Sequence, residues 1–271
     1  MANRRISLNH RLKEGLLSTE IKKSRPMAQA DNPIILVPAR MAATRLPGKP
    51  LMEIGGLPMI VRVWRQAELA GIGPVVIAAG DPEIAAAVTA AGGRAVLTDS
   101  EISSGSDRVH AALQEIDPDQ KHNIVVNLQG DIPAISPDSL RHVVDALTQS
   151  GADIATLVAP ADPLDRDNPN VVKPVIAWAS GDKLGRALYF SRACVPSGKG
   201  ELFHHIGIYA YTRDALTRFV GLPISRLEKR ERLEQLRAIE AGMNIVVARV
   251  DEIPLTVDTE ADIEKARRLL S

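Results

Sequence analysis

The sequence predicts an α/β protein built on a mainly parallel open sheet, with helices on both faces and an added smaller sheet region. Two features of the chain lead there. Short apolar runs alternate with stretches of helical periodicity through the first two thirds of the 271 residues, the pattern of βαβ units. After about Pro160 that alternation loosens, which points to extra strands packed on the first half rather than to a second linked domain. Glycines at Gly71, Gly92 and Gly242 stand where helix C-caps belong, punctuating the same rhythm.

The elements follow in order. Strands are expected at Ile34–Val37, Val75–Ala79, Ala95–Thr98, Ile124–Leu128, Ile154–Val158, Val171–Ala177, Gly207–Tyr211 and Ile245–Val250, each a short run rich in β-branched residues. Helices are expected at Met59–Ala70, Glu83–Ala91, Asp107–Glu115, Asp138–Gln149, Arg213–Val220, Arg226–Ala241 and Glu260–Leu270. Ser136-Pro137 supplies an N-cap and first-turn proline for the fourth of these. Asp162 to Asn170 is rich in Asp, Pro and Asn and reads as a loop. Lys173-Pro174 interrupts a strand-like run, so that strand must lie at an edge or carry a bulge.

Composition narrows the function. The chain is 45% hydrophobic and 24% charged, ordinary for a globular protein, and no apolar run is long enough to cross a bilayer. Its one cysteine, Cys194, rules out an internal disulfide framework and fits a reducing cytoplasm. The zero net charge hides an asymmetry. Residues 1–26 hold seven Lys or Arg against Glu14 and Glu20, net +5, which leaves −5 for the remainder. So acidic a body with 3% aromatic residues is a poor nucleic-acid binder. Leu8, Leu12, Leu16, Leu17 and Ile21 in the basic tail fall at rough helical spacing, as in an amphipathic helix or a targeting peptide. The favoured reading is a flexible extension over residues 1–32, with Met27 an alternative initiator, followed by a single domain over 33–271.

The most informative segment is Pro38–Pro50, which gathers Arg40, Arg45 and Lys49 in a loop without an acidic residue, just past the first strand. Ligands of open α/β sheets bind outside the carboxyl ends of strands, and three cations there suit a nucleoside triphosphate. Gly48-Lys49 is followed by Pro50, which has neither the hydroxyl nor the N–H of a Walker A loop. The dinucleotide fingerprint is missing too. Asp131 follows the apolar run Ile124–Leu128 and falls beside that loop. A carboxylate there would repel a triphosphate unless a divalent cation bridged them, and magnesium takes such oxygen ligands. Asp258 is the natural second ligand, because Thr259-Glu260-Ala261-Asp262 can cap the last helix by itself.

The run Arg40-Met-Ala-Ala-Thr-Arg-Leu-Pro-Gly-Lys-Pro50 resembles the first motif of the 3-deoxy-manno-octulosonate cytidylyltransferase (CMP-KDO synthetase) family of sugar nucleotidyltransferases. Further motifs follow in the same order: Ser104-Gly105-Ser106-Asp107-Arg108, Asn127-Leu128-Gln129-Gly130-Asp131, Asn168–Lys173, Tyr189-Phe190-Ser191-Arg192, His205–Tyr209, Leu233–Arg237 and Val257-Asp258-Thr259. The resemblance runs from about residue 33 to the end. It implies a Rossmann-like nucleotidyltransferase fold, a cytoplasmic homodimer, and transfer of CMP from CTP to the sugar acid for lipopolysaccharide biosynthesis.

It also implies roles. Arg40, Arg45 and Lys49 neutralise the triphosphate, and Asp131 and Asp258 hold Mg2+. Ser104, Gly105 and Ser106 close over base and ribose, with Arg108 nearby and Gln129 able to read the cytosine edge. His205, Tyr209, Glu234 and Gln235 offer a cation, a phenol, a carboxylate and an amide to the sugar acid, supported by Tyr189, Ser191 and Arg192. Two positions depart from the family pattern: Gly80, where Asp is usual and Asp81 comes one place late, and Ile132, where Glu is usual. Two other readings compete. One is a cytidylyltransferase for sialic or another nonulosonic acid; the other is a nucleotide-binding homologue that has lost catalysis.

Overall fold

The computed structural model describes residues 31–42 and 46–270. The basic tail and Arg45 therefore lie outside the described residues. Asn32 is tied to the body: its backbone N–H donates to Asn123 Oδ1 at 2.8 Å and its amide to the Lys121 carbonyl at 3.0 Å.

In chain order the elements are β1 (Pro33–Ala39), β2 (Glu53–Ile54), β3 (Leu57–Pro58), α1 (Met59–Leu69), β4 (Val75–Ala79), α2 (Pro82–Ala90), β5 (Arg94–Leu97), α3 (Gly105–Ile116), β6 (Ile124–Asn127) and α4 (Pro137–Ser150). Then come β7 (Ile154–Pro160), β8 (Lys173–Trp178), β9 (Leu184–Ser191), β10 (Phe203–Thr212), α5 (Arg213–Val220), α6 (Arg226–Glu231), α7 (Gln235–Glu240), β11 (Ile245–Arg249) and α8 (Glu260–Leu270). Nine strands form one sheet in the order β5-β4-β1-β6-β10-β7-β11-β9-β8, and β2 and β3 make a separate hairpin. Pairing is parallel across β5-β4-β1-β6 and between β7 and β11. β10 runs antiparallel between β6 and β7, and β9 antiparallel between β11 and β8. The added region is thus the antiparallel end of the same sheet.

The central strands read as continuous apolar runs because both their faces are covered. Ile35, Val37, Ile77 and Val126 pack into a buried cluster on one face, with Ile60, Val63 and Leu140 from the helices. Ile34, Leu36, Val76 and Val125 alternate into the cluster on the other, with Val109, Leu113 and Phe219. Lys173-Pro174 meets both parts of its expectation: β8 is the sheet's outer strand, and its register with β9 shifts between Val175 and Ile176.

Two expectations are corrected. The helix expected over Arg226–Ala241 is two helices, because Arg232 adopts a left-handed backbone (φ 55) that ends α6 before α7 begins. β9 carries Gly185 and Ala187, residues that strands disfavour, and so was hidden in the sequence. Its place depends on Gly185, where a Cβ would come within 2.5 Å of Ile176 and 2.9 Å of Trp178.

Buried charge also holds the frame. Asp117 accepts from the backbone N–H groups of Lys121 and His122 and from Arg213 Nη1 at 2.5 Å, tying the loop before β6 to α5. Burial pushes its carboxyl up, but these donors prevail and hold it below the usual carboxylate value of 3.8. Glu228, gripped by both arms of Arg237 at 2.8 and 2.6 Å, is likewise lowered against burial. Depressed carboxyls stabilise the fold fully above their unfolded values and lose that contribution as pH falls through the folded ones. Urea midpoints are therefore expected to drop steeply below about pH 4. Asp117→Ala, which strands the buried Arg213 charge, should cost about 3 kcal/mol at neutral pH and flatten that acid limb.

Candidate active site

Parallel pairing sets Leu36 of β1 opposite Asn127 of β6, so the loops leaving the carboxyl ends of both strands lie side by side. Gly130 lets them touch, since a Cβ there would stand 3.0 Å from the Pro38 carbonyl and 3.3 Å from Ile60. Lys49 reaches across this junction. Its Nζ donates to Asp131 Oδ2 at 2.8 Å, to the Val257 carbonyl at 2.8 Å and to Asp258 Oδ1 at 3.4 Å. The segment before α8 is drawn in as well, by a bond from Val257 N–H to the Asp131 carbonyl. A cation therefore already sits among three oxygens, and this is a hard-oxygen donor set that fits magnesium. Among the described residues no group of three or more His, Cys, Asp or Glu could hold a metal alone. Two carboxylates completed by substrate phosphates is the usual magnesium arrangement.

The capping box at α8 forms as expected. The Asp262 carboxylate accepts from Thr259 N–H at 2.9 Å and from Asp258 N–H at 3.1 Å, and Asp262 N–H donates back to Thr259 Oγ1 at 3.3 Å. The Asp258 side chain is thus not the cap.

Over the same strand ends stands the N-terminus of α3. Ser104 is its N-cap and accepts from Asp107 N–H. A cavity of about 260 Å³ opens here, lined by Arg40, Lys49, Ser104, Gly105, Gln129 and Asp131. Orphan N–H groups at a helix start favour anions and acceptors. Arg108 also borders the cavity, but the residue is 2% exposed and its guanidinium grips the segment before α3. It donates to Thr98 Oγ1 at 2.5 Å and to the carbonyls of Asp99 at 3.0 Å and Ile102 at 2.6 Å. Gln129 Nε2 donates to Asn127 Oδ1 at 3.3 Å, which leaves its carbonyl as acceptor.

Of the residues expected to meet the acceptor, Glu234 is bonded to the helix start that lines this cavity and Tyr209 pairs with Asn127 of β6. The Glu234 carboxylate accepts from Ser104 Oγ at 2.7 Å and Ser106 Oγ at 2.9 Å, so it is joined directly to the start of α3. A second cavity of about 640 Å³ runs along this edge, lined by Ser104, Glu228, Lys229, Arg232, Glu234 and Arg237. Gln235 is buried at the start of α7.

His205 is not the cation expected of it. It is 9% exposed and burial lowers its pKa to about 3, so the ring is neutral. Thr156 Oγ1 lies 3.0 Å from His205 Nε2, 2.8 Å from the Ile208 carbonyl and 3.1 Å from the Ile206 carbonyl. The hydroxyl proton goes to the carbonyls, so the hydrogen-bond pattern assigns the proton of the ring to Nε2. The Tyr209 ring lies tilted against His205 with centroids 5.5 Å apart, and burial, with Tyr211 and Glu234 nearby, pushes its phenol well up. Tyr189, Ser191 and Arg192 all converge on Glu231, a residue that sequence reasoning missed. Ser191 Oγ donates to it at 2.9 Å and Arg192 N–H at 3.1 Å.

The model of the Cytidylyltransferase family matches residues 34–245. A 3-deoxy-manno-octulosonate cytidylyltransferase of Parvibaculum lavamentivorans is 57% identical over 89% of this chain and 94% of its own. One from Rhodospirillum centenum is 58% identical over 88% and 93%. The chain belongs to the 3-deoxy-manno-octulosonate cytidylyltransferase family. A solved structure of CMP:2-keto-3-deoxy-manno-octonic acid synthetase complexed with CTP superposes with a TM-score of 0.81 at 37% identity, covering 88% of this chain and 98% of that one.

Both departures from the family's motif pattern are packing changes in this member. Ile132 is 3% exposed and lies in the core cluster with Leu140 and Ile60. At Gly80 a Cβ would come within 2.8 Å of Arg108 Nη1, so the missing side chain is the space that the guanidinium fills.

A neutral His205 has a measurable consequence. Its imidazole should show no protonation between pH 5 and 8 when followed by NMR. With a folded pKa depressed to about 3 from 6.5, the unfolded chain binds the proton first. Its share of stability is complete above 6.5 and declines as pH falls from there towards 3.

Proposed function

We propose that this chain transfers CMP from CTP to 3-deoxy-D-manno-octulosonate, giving CMP-KDO and diphosphate, and so activates the sugar acid for lipopolysaccharide biosynthesis. The observation that carries the reading is the meeting of Lys49 with Asp131 and Asp258 at the mouth of a cavity that also holds Arg40, Gln129 and the start of α3. A triphosphate needs the cations, and the carboxylates need a counter-ion shared with it.

The anomeric hydroxyl of the sugar acid attacks the α-phosphorus of CTP. The new O–P bond forms as the bond to the β-phosphate oxygen breaks, the hydroxyl proton leaves to solvent, and diphosphate departs. Such a transfer depends chiefly on alignment and on stabilising charge. Arg40 and Lys49, with Arg45 from the same loop, neutralise the polyphosphate. The Ser104-Gly105-Ser106 turn presents N–H groups and hydroxyls to ribose and base, and Gln129 offers its carbonyl to the cytosine amine. Glu234, already bonded to Ser104 and Ser106, couples nucleotide and acceptor sides. His205 orients through its Thr156 bond as a neutral group, with Tyr209 and Gln235 completing the acceptor contacts. Asp131 and Asp258 would hold Mg2+, which when bound withdraws charge from the α-phosphate and acidifies a nearby hydroxyl. A single domain over 33–271, a homodimeric assembly and a cytoplasmic setting complete the proposal. Among the described residues no helix is long and apolar enough to cross a membrane.

The test is diphosphate release with CTP, Mg2+ and a panel of sugar acids. Turnover with 3-deoxy-D-manno-octulosonate is expected, and faster turnover with N-acetylneuraminate would overturn the choice of substrate. Asp131→Asn and Asp258→Asn should each lower kcat by roughly a hundredfold or more. Unchanged rates at limiting magnesium would remove those carboxylates from the mechanism.

A further inference from the structure

Asp81 holds the N-cap position of α2, where an Asp side chain ordinarily accepts from the first turn of its own helix. It makes no such bond. Instead its Oδ2 accepts the backbone N–H of Met41 at 2.7 Å, forty residues away. Met41 is the residue after Arg40, at the start of the triphosphate loop. Its carbonyl in turn accepts from Gly48 N–H at 3.2 Å, next to Lys49. Met41 and Gly48 are therefore joined to each other by one bond, and Met41 is fastened beside the end of β4 by the other. Gly80 adds a third tie, its N–H donating to the Ala39 carbonyl at 2.8 Å.

Charge runs through the same spot. The buried Arg108 guanidinium lies against Gly80. Its pKa is lowered by burial and by the Arg40 charge, and raised by Asp81 and Asp99. Asp81 is thus one of two carboxylates, with Asp99, whose charge offsets burial of the Arg108 guanidinium, and a side chain at position 80 would crowd that guanidinium.

From this geometry we infer that Asp81 is a positioning residue for nucleotide binding: its bond to Met41 N–H presets the two ends of the triphosphate loop, and with them Arg40 and Lys49, before CTP arrives. The one-place displacement of the acidic residue, with Gly80 ahead of it, is the sequence form of this anchor. The inference rests on the cytidylyltransferase reading of the site.

A loop that must find its shape on binding weakens affinity without altering the chemistry that follows. Asp81→Ala should therefore raise KM for CTP, and the calorimetric Kd for CTP, by about tenfold, in keeping with one lost hydrogen bond to a charged acceptor. The effect should spare kcat and the KM for the sugar acid. Asp81→Asn keeps an acceptor for Met41 and should recover most of the loss. Thermal unfolding in the absence of nucleotide serves as the control for a general loss of fold. A KM for CTP within twofold of the natural chain would overturn the inference. So would a loss spread evenly over kcat and both KM values, or an Asp81→Asn variant as impaired as Asp81→Ala. Failure of the natural chain itself to bind CTP would instead overturn the underlying functional reading, so the two outcomes are distinct.

Discussion

The bonds of one ammonium organise the site. Lys49 joins three stretches of chain that are 82 and 209 residues apart in sequence, by way of Asp131, Asp258 and the Val257 carbonyl. Without a cation between them, two carboxylates converging on one point would repel each other and the loops that carry them. With it, the loop after β1, the loop after β6 and the segment before α8 meet at a single point. Lys49 is 14% exposed there, and the carboxylates 25% and 42%. The pairs are worth little in isolation at such exposure. Their value lies in arranging three segments around one charge.

The sheet makes that meeting possible and the neutral groups beneath it keep it ordered. Parallel β1 and β6 deliver their loops to the same edge, whereas antiparallel β10 brings His205 and Tyr209 in behind. A charged imidazole in that place would be costly to bury. The chain avoids the cost with Thr156, whose hydroxyl sits at the irregularity in β10 between Ile206 and Tyr209. Neutral polar contacts below and paired charges above divide the site by dielectric. The ion pairs stay near water, and the buried polar groups remain fixed.

Local pattern carried the strands of the first half, their helices and the caps, since each depends on residues within one or two turns. β9 escaped because its register rests on Gly185 fitting beneath Trp178, a packing fact with no local signature. The break at Arg232 escaped for a similar reason: a left-handed Arg is disfavoured locally and is held there by its tertiary setting, with its carbonyl accepting from Arg192. Of the site, the residue types were legible and their partners were not. Nothing in the spacing shows that Lys49 stands between the two aspartates, that Glu234 takes both serine hydroxyls, or that Glu231 gathers Tyr189, Ser191 and Arg192. Burial decided the protonation of His205, and burial is a property of the fold.

The two departures from the family's motifs bear on whether this member keeps its chemistry. A degenerate homologue would be expected to lose charge where charge is used and to leave the vacancy unfilled. Here the opposite holds. Ile132 enters the apolar core, while the adjacent Asp131 keeps its contact with Lys49. Gly80 gives up a side chain at the point where Arg108 needs room, and the neighbouring Asp81 places a carboxylate on the loop that carries Arg40. Each change is matched by a contact beside it that preserves the cation cluster and the carboxylate pair. Such compensation has a physical use only if the cluster still has a polyanion to bind, which favours a working nucleotidyltransferase over a relic of one.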